Sequence, residues 1–167
     1  MNSPISFTSK FILDKAHFNE CFSESTTQER SLNIFFKSGV LMVFGLIILL
    51  FTPVNAYAGW FVVALGILEA LSIYYKQPWW VLRQMLSKAS GSEVTLTIDE
   101  QGVLSNSFYN KGRILWQDVT LIQETDLGYV LHFTIGKSTN KNYLSKSYLS
   151  NDAQAYIKTQ MTALLAK

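Results

Sequence analysis

The sequence predicts an α+β membrane protein: a two-helix transmembrane hairpin plus a cytoplasmic antiparallel β domain closed by a C-terminal helix. Three observations predict it. No Asp, Glu, Lys or Arg occurs between Lys37 and Glu69. From Glu93 onward, apolar residues alternate with polar ones, the period of a half-buried strand. Near the end, Ala153, Ile157, Met161 and Leu164 return at spacings of three and four, the period of a helix with one buried face.

The uncharged stretch is too long for one span. As a single helix it would run roughly 46 Å, against a hydrocarbon core of about 30 Å. Thr52-Pro53-Val54-Asn55 interrupts it, because proline removes a backbone donor and clashes with the preceding turn. The region 32–75 therefore reads as two helices, about 32–52 and 57–75, each near the length a crossing needs. The run from Val40 to Phe51 has no polar face, and a chain of 167 residues is too short to bury such a helix in a large core.

Arg30 and Lys37 precede the first helix, and Lys76, Arg83 and Lys88 follow the second, while the turn between them is uncharged. Cationic flanks stay in the cytoplasm, so both termini are expected inside. Trp60 at the outer end, and Trp79 and Trp80 with Arg83 at the inner end, suit membrane interfaces. Pro78 is expected to end the second helix or turn the chain along the surface. The segment 76–92 reads as an interfacial linker, with a short amphipathic helix at 79–86 on the membrane surface. Glu69 needs a partner, because a carboxylate facing lipid is costly. Counted from the turn, Lys37 lies at a similar depth, so a Glu69–Lys37 ion pair is expected, or a Glu69 that snorkels. Gly39, Gly45, Gly59 and Gly66 are expected to let the two helices approach closely, or to support self-association.

Residues 1–31 read as a separate cytoplasmic segment with a strand near Ile5–Thr8 and a short helix capped by Asp14. Phe18, Cys21 and Phe22 share one face of that helix and are expected to pack on the C-terminal domain or at the membrane surface. No basic region, apolar run and cleavage site open the chain, so no signal peptide is expected. Residues 93–167 read as the β domain. Strands are expected at 94–98, 103–108, 113–116, 119–124, 129–135 and 142–144, and a helix from Ser150 or Asn151 to about Leu165. Antiparallel strands closed by one helix outline a pleckstrin-homology-like barrel, an analogy of fold that carries no function.

The order of these parts resembles the YcxB-like family of bacterial membrane proteins. The likeness rests on Phe7 to Phe22, the hairpin, the stretch Val94 to Val103, and Trp116-Gln117-Asp118-Val119. It implies the topology and a place in the bacterial inner membrane, and no catalytic residues.

Charged residues make up only 16% of the chain, and their scarcity is local to the hairpin. A net charge of +2 argues against a nucleic-acid partner. One cysteine and two isolated histidines make neither a zinc site nor a nucleophile–base pair. His132 alternates with Leu131 and Phe133 and is expected to face solvent. No cofactor is expected. Lys111, Arg113, Lys137, Lys141 and Lys146 are candidate contacts for anionic headgroups, with Trp116 and Asp118 beside them as possible surface contacts, but the interspersed acids Asp118, Glu124 and Asp126 favour a solvated mixed surface. For Trp116 and Asp118 a core tryptophan and a turn-capping acid are the simpler roles.

The expected function is that of a non-enzymatic inner-membrane protein, a membrane-anchored binding or regulatory module. Its partners are the lipid bilayer and an unidentified membrane or cytoplasmic protein. Two alternatives stand beside it. One is an immunity or protective protein against a membrane-directed toxin. The other is a homo-oligomeric ion pathway that uses Glu69.

Overall fold

The computed structural model describes residues 5–26, 32–53 and 55–165. Arg30, Val54 and the first four residues, on which the flanking charge, the depth count and the signal-peptide reading draw, lie outside them. The chain divides into two compact units, Gln28–Trp80 and Met1–Thr27 joined with Val81–Lys167.

The first unit is the apolar hairpin. A 3-10 turn, Leu32–Phe35, leads into helix α2, Phe36–Phe51, so numbered because α1, Lys15–Ser25, precedes it. Thr52 caps α2 in an extended conformation, which the following Pro53 demands. Asn55 then accepts a hydrogen bond from Tyr57 N at 3.0 Å and starts α3, Ala56–Tyr74. The second span lies within a residue of the expected limits, while α2 starts four residues after its expected start because the 3-10 turn takes up Leu32–Phe35. The next helix, α4, covers Lys76–Met85. Pro78 lies in its first turn, where the missing N–H has no intrahelical partner to lose. The amphipathic helix expected at 79–86 is thus present, starting three residues earlier, with the proline in its first turn.

The second unit is built on two antiparallel sheets. Sheet A orders β1 (Ser6–Ile12), β2 (Glu93–Asp99), β3 (Gly102–Ser107) and β4 (Lys111–Leu115). Sheet B orders β5 (Val119–Glu124), β6 (Gly128–Ile135) and β7 (Ser138–Ser145). Helix α5, Asn151–Leu165, follows, with Ser150 Oγ accepting from Ala153 N. Leu96, Ile98, Val103, Ile122, Tyr129, Leu131, Leu144 and Ile157 form one core shared by both sheets and α5. Ala153 and Ile157 are buried, and Met161 and Leu164 pack against the same cluster.

Three expectations change. The expected barrel does not close: a 3-10 turn, Trp116–Asp118, separates β4 from β5, and the strands stay in two sheets. The N-terminal strand is not a separate segment. It pairs with β2 along its whole length, from Ser6↔Asp99 to Ile12↔Glu93, so the hairpin is an insertion between two neighbouring strands. No local pattern reveals a partner more than eighty residues downstream. Strand β7 starts four residues before the expected 142–144. Its polar residues Ser138 to Lys141 lack alternation, and pairing with β6 orders them instead.

Candidate functional site

Within the hairpin, α2 and α3 meet through small residues. Ser38 and Gly45 are the buried residues of α2, and Gly59 and Gly66 those of α3. A Cβ on Gly45 would stand 2.7 Å from Val63 Cγ2 and 2.8 Å from its backbone nitrogen; one on Gly66 would stand 3.0 Å from Met42 N. Only residues without a side chain admit helices this close. Gly39 differs: nothing lies within 4 Å of its would-be Cβ. It faces outward in a shallow groove lined by Phe36, Val40, Val43, Phe44 and Ile47, so the expected packing role fails there.

Because glycine fills the crossing, the large side chains point away from it. Phe44, Leu50, Phe51, Trp60, Phe61 and Leu68 are exposed. The two spans, Asn33–Phe51 and Ala56–Tyr74, are long and apolar enough to cross a membrane, with 11% and 17% of their windows buried. A core helix of a soluble protein is mostly buried, and these are mostly bare.

Glu69 is half-buried and Lys37 is exposed. The ion pairs among the described residues are Lys10–Glu93, Arg113–Asp99, Lys146–Glu124 and Lys158–Glu124. The expected Glu69–Lys37 pair is not formed. Depth along two helices does not set direction around them. Each residue turns the helix by about 100°, so Lys37 stands a full step off the buried Ser38, while Glu69 flanks the buried Gly66. Trp79 and Arg83 are exposed on α4, and Trp80 is half-buried.

Trp116 and the stretch Val94 to Val103 meet in the second unit. Trp116 Nε1 donates to the Asp99 carbonyl at 2.9 Å, and Trp116 N to Gln101 O at 3.1 Å. Asp99 Oδ1 accepts from Gln101 N and Gly102 N, both at 2.9 Å. Its Oδ2 takes Arg113 at 2.8 Å, and Arg113 also donates to Gln101. Trp116 and Arg113 thus fasten the β2–β3 turn to β4. Beside them, Ile5, Ser6 and Glu100 complete a polar cleft of about 290 Å³. Asp118 is half-buried in its 3-10 turn, and among the described residues no hydrogen bond closes a cap through its side chain, so the expected capping role falls away.

The five candidate headgroup cations separate. Arg113 is held by Asp99. Lys146 binds Glu124 at 3.0 Å and the Thr125 carbonyl at 2.7 Å, and stands over the Tyr129 ring. Lys141 donates to Ser25 O at 3.2 Å. Lys111 and Lys137 are exposed, and no ion pair among the described residues engages either.

Two histidines are more buried than the sequence suggests. His17 sits among the rings of Phe11, Phe18, Tyr143 and Tyr148, with centroids 4.9 to 6.4 Å away. Burial lowers its pKa; Glu20 and Asp14 oppose that. Its Nδ1 is buried without a hydrogen-bond partner. Contrary to expectation, His132 does not face solvent: it is half-buried, and its Nε2 is sealed off without a partner. Burial, then Lys141 opposite it in the register, lower its pKa. Helix α1 packs on β7, with Tyr143 Oη donating to Glu20 Oε1 at 2.6 Å.

No family model matches the chain, and no curated protein matches it.

Proposed function

We propose that the protein is a non-enzymatic module anchored in the bacterial cytoplasmic membrane, which holds its two-sheet domain at the cytoplasmic face for a partner. One observation carries this reading: the hairpin packs through glycines and presents its large apolar side chains outward. Water would penalise that surface heavily, whereas lipid matches it. Lys37 in the first turn of α2, Lys76 and Arg83 after α3, and an uncharged turn favour cytoplasmic termini. Sheets of four and three strands with a C-terminal helix support an open pleckstrin-homology-like reading of the domain. Membership of the YcxB-like family is part of the same proposal and rests on the sequence resemblance.

The test uses single cysteines at Asn55 and Lys137 in a Cys21→Ser background. In intact cells, a membrane-impermeant maleimide is expected to label Asn55→Cys and spare Lys137→Cys, with the protein resisting carbonate extraction. Extraction into the soluble fraction would refute the anchor, and the reverse labelling would refute the orientation.

A second reading follows from Glu69, a half-buried carboxylate in an apolar helix with no ion pair among the described residues. An oligomer could use it to line an ion pathway. Ion flux in proteoliposomes, abolished by Glu69→Gln, is its required outcome, and flux unchanged by that substitution removes it.

A further inference from the structure

We propose that the turn carrying Phe108 and Tyr109 is a second membrane anchor, an aromatic tip that seats in the headgroup region of the bilayer. The inference rests on the membrane reading above and adds a contact that the hairpin does not supply. Phe108 is 90% exposed and Tyr109 56% exposed. Their rings meet edge to face, with centroids 5.0 Å apart. The turn beneath them is closed. Ser107 N donates to Asn110 O at 2.8 Å, Ser107 Oγ to the same carbonyl at 3.0 Å, and Asn110 N to Ser107 Oγ at 3.1 Å. A closed turn holds both rings away from the domain core, in water, unless another apolar phase receives them.

The position of the turn identifies that phase. Ile12 pairs with Glu93, Val94 with Ser107, and Asn106 with Lys111. The tip therefore lies at the end of sheet A where β1 leaves for α1 and where the chain comes back from α4 after the hairpin. Ile12, at the same end, is itself 55% exposed. The charge agrees: between Gly102 and Gln117 the chain has Lys111 and Arg113 and no acid, and Glu93, at the same end of the sheet, is neutralised by Lys10. With Arg113 held by Asp99, Lys111 is the cation left to meet lipid phosphates. Aromatic rings beside a lysine match the composition of a membrane interface.

The experiment uses the full chain in nanodiscs of phosphatidylethanolamine and phosphatidylglycerol, with Cys21→Ser and a nitroxide on Phe108→Cys or Phe44→Cys. Collision with oxygen and with a water-soluble nickel chelate reads the depth of each label. The label at 108 is expected to match headgroup-region calibrants, with an oxygen-to-nickel ratio several-fold above that of a water-exposed label. A ratio equal to that in water overturns the anchor. Shielding from both reagents also overturns it, since that marks a protein contact. The label at 44 separates the two proposals. If it reports lipid while 108 reports water, the hairpin stands and the tip falls; if 44 also reports water, the membrane reading falls first.

Discussion

His17 and Trp116 show how single side chains tie distant parts of the second unit together. The His17 imidazole is enclosed by rings from β1, α1, β7 and the turn at Tyr148, with Asp14 and Glu20 as the acids nearby. Its folded pKa lies below the ordinary 6.5, so below that pH the unfolded chain binds a proton that the folded cage refuses. Stability is therefore full above 6.5 and falls as the pH drops through and beneath it. Thermal unfolding from pH 8 to 5 is expected to show this loss. His17→Phe is expected to flatten it in part, leaving the share due to His132, which shifts in the same direction. A pH dependence identical in wild type and variant would assign the effect elsewhere. Trp116→Phe keeps the ring and removes the donor to Asp99 O. The expected cost is about 1 kcal/mol in denaturant unfolding, the net worth of one such hydrogen bond.

At the scale of the element, the hairpin separates two kinds of glycine. Gly45 sits where a side chain would strike the Val63 backbone; Gly39 faces open space. Gly45→Leu is expected to destabilise the hairpin by about 1–3 kcal/mol, the usual penalty for overpacking, whereas Gly39→Leu is expected to be near neutral. Thermal melts of both variants in detergent check the contrast, and equal melts would mean that the crossing does not depend on Gly45. Both glycines are visible in the sequence, but their directions are not. The same limit explains Glu69 and Lys37: counting from the turn set their depth, and helical rotation turned Lys37 outward.

Across the whole chain, the second unit is assembled from residues on both sides of the hairpin. A fragment covering 88–167 lacks β1 and α1, so it exposes the edge of β2 and the face of β7 that α1 covers. It is expected to aggregate or to unfold without cooperativity. Joining residues 5–26 to it through a flexible linker is expected to restore a cooperative transition. Circular dichroism melts of the two chains test this, and a cooperatively folded 88–167 fragment would show that the N-terminal strand is dispensable.

The sequence by itself determined the two apolar helices, their proline-marked turn, the strand positions from 93 to 135 and the amphipathic final helix. Those features rest on local signals: hydrophobic period, charge absence and turn residues, all readable within a few positions. Only the tertiary structure decided that β1 belongs beside β2, that seven strands form two sheets without closing, and which residue met which. Arg113 was visible as a cation, and pairing with Asp99 across a turn made it structural. His132 was visible as an alternating residue, and packing on both faces of sheet B took it from solvent. Strand pairing and side-chain direction depend on residues far apart in the chain, and no short window of sequence contains both partners.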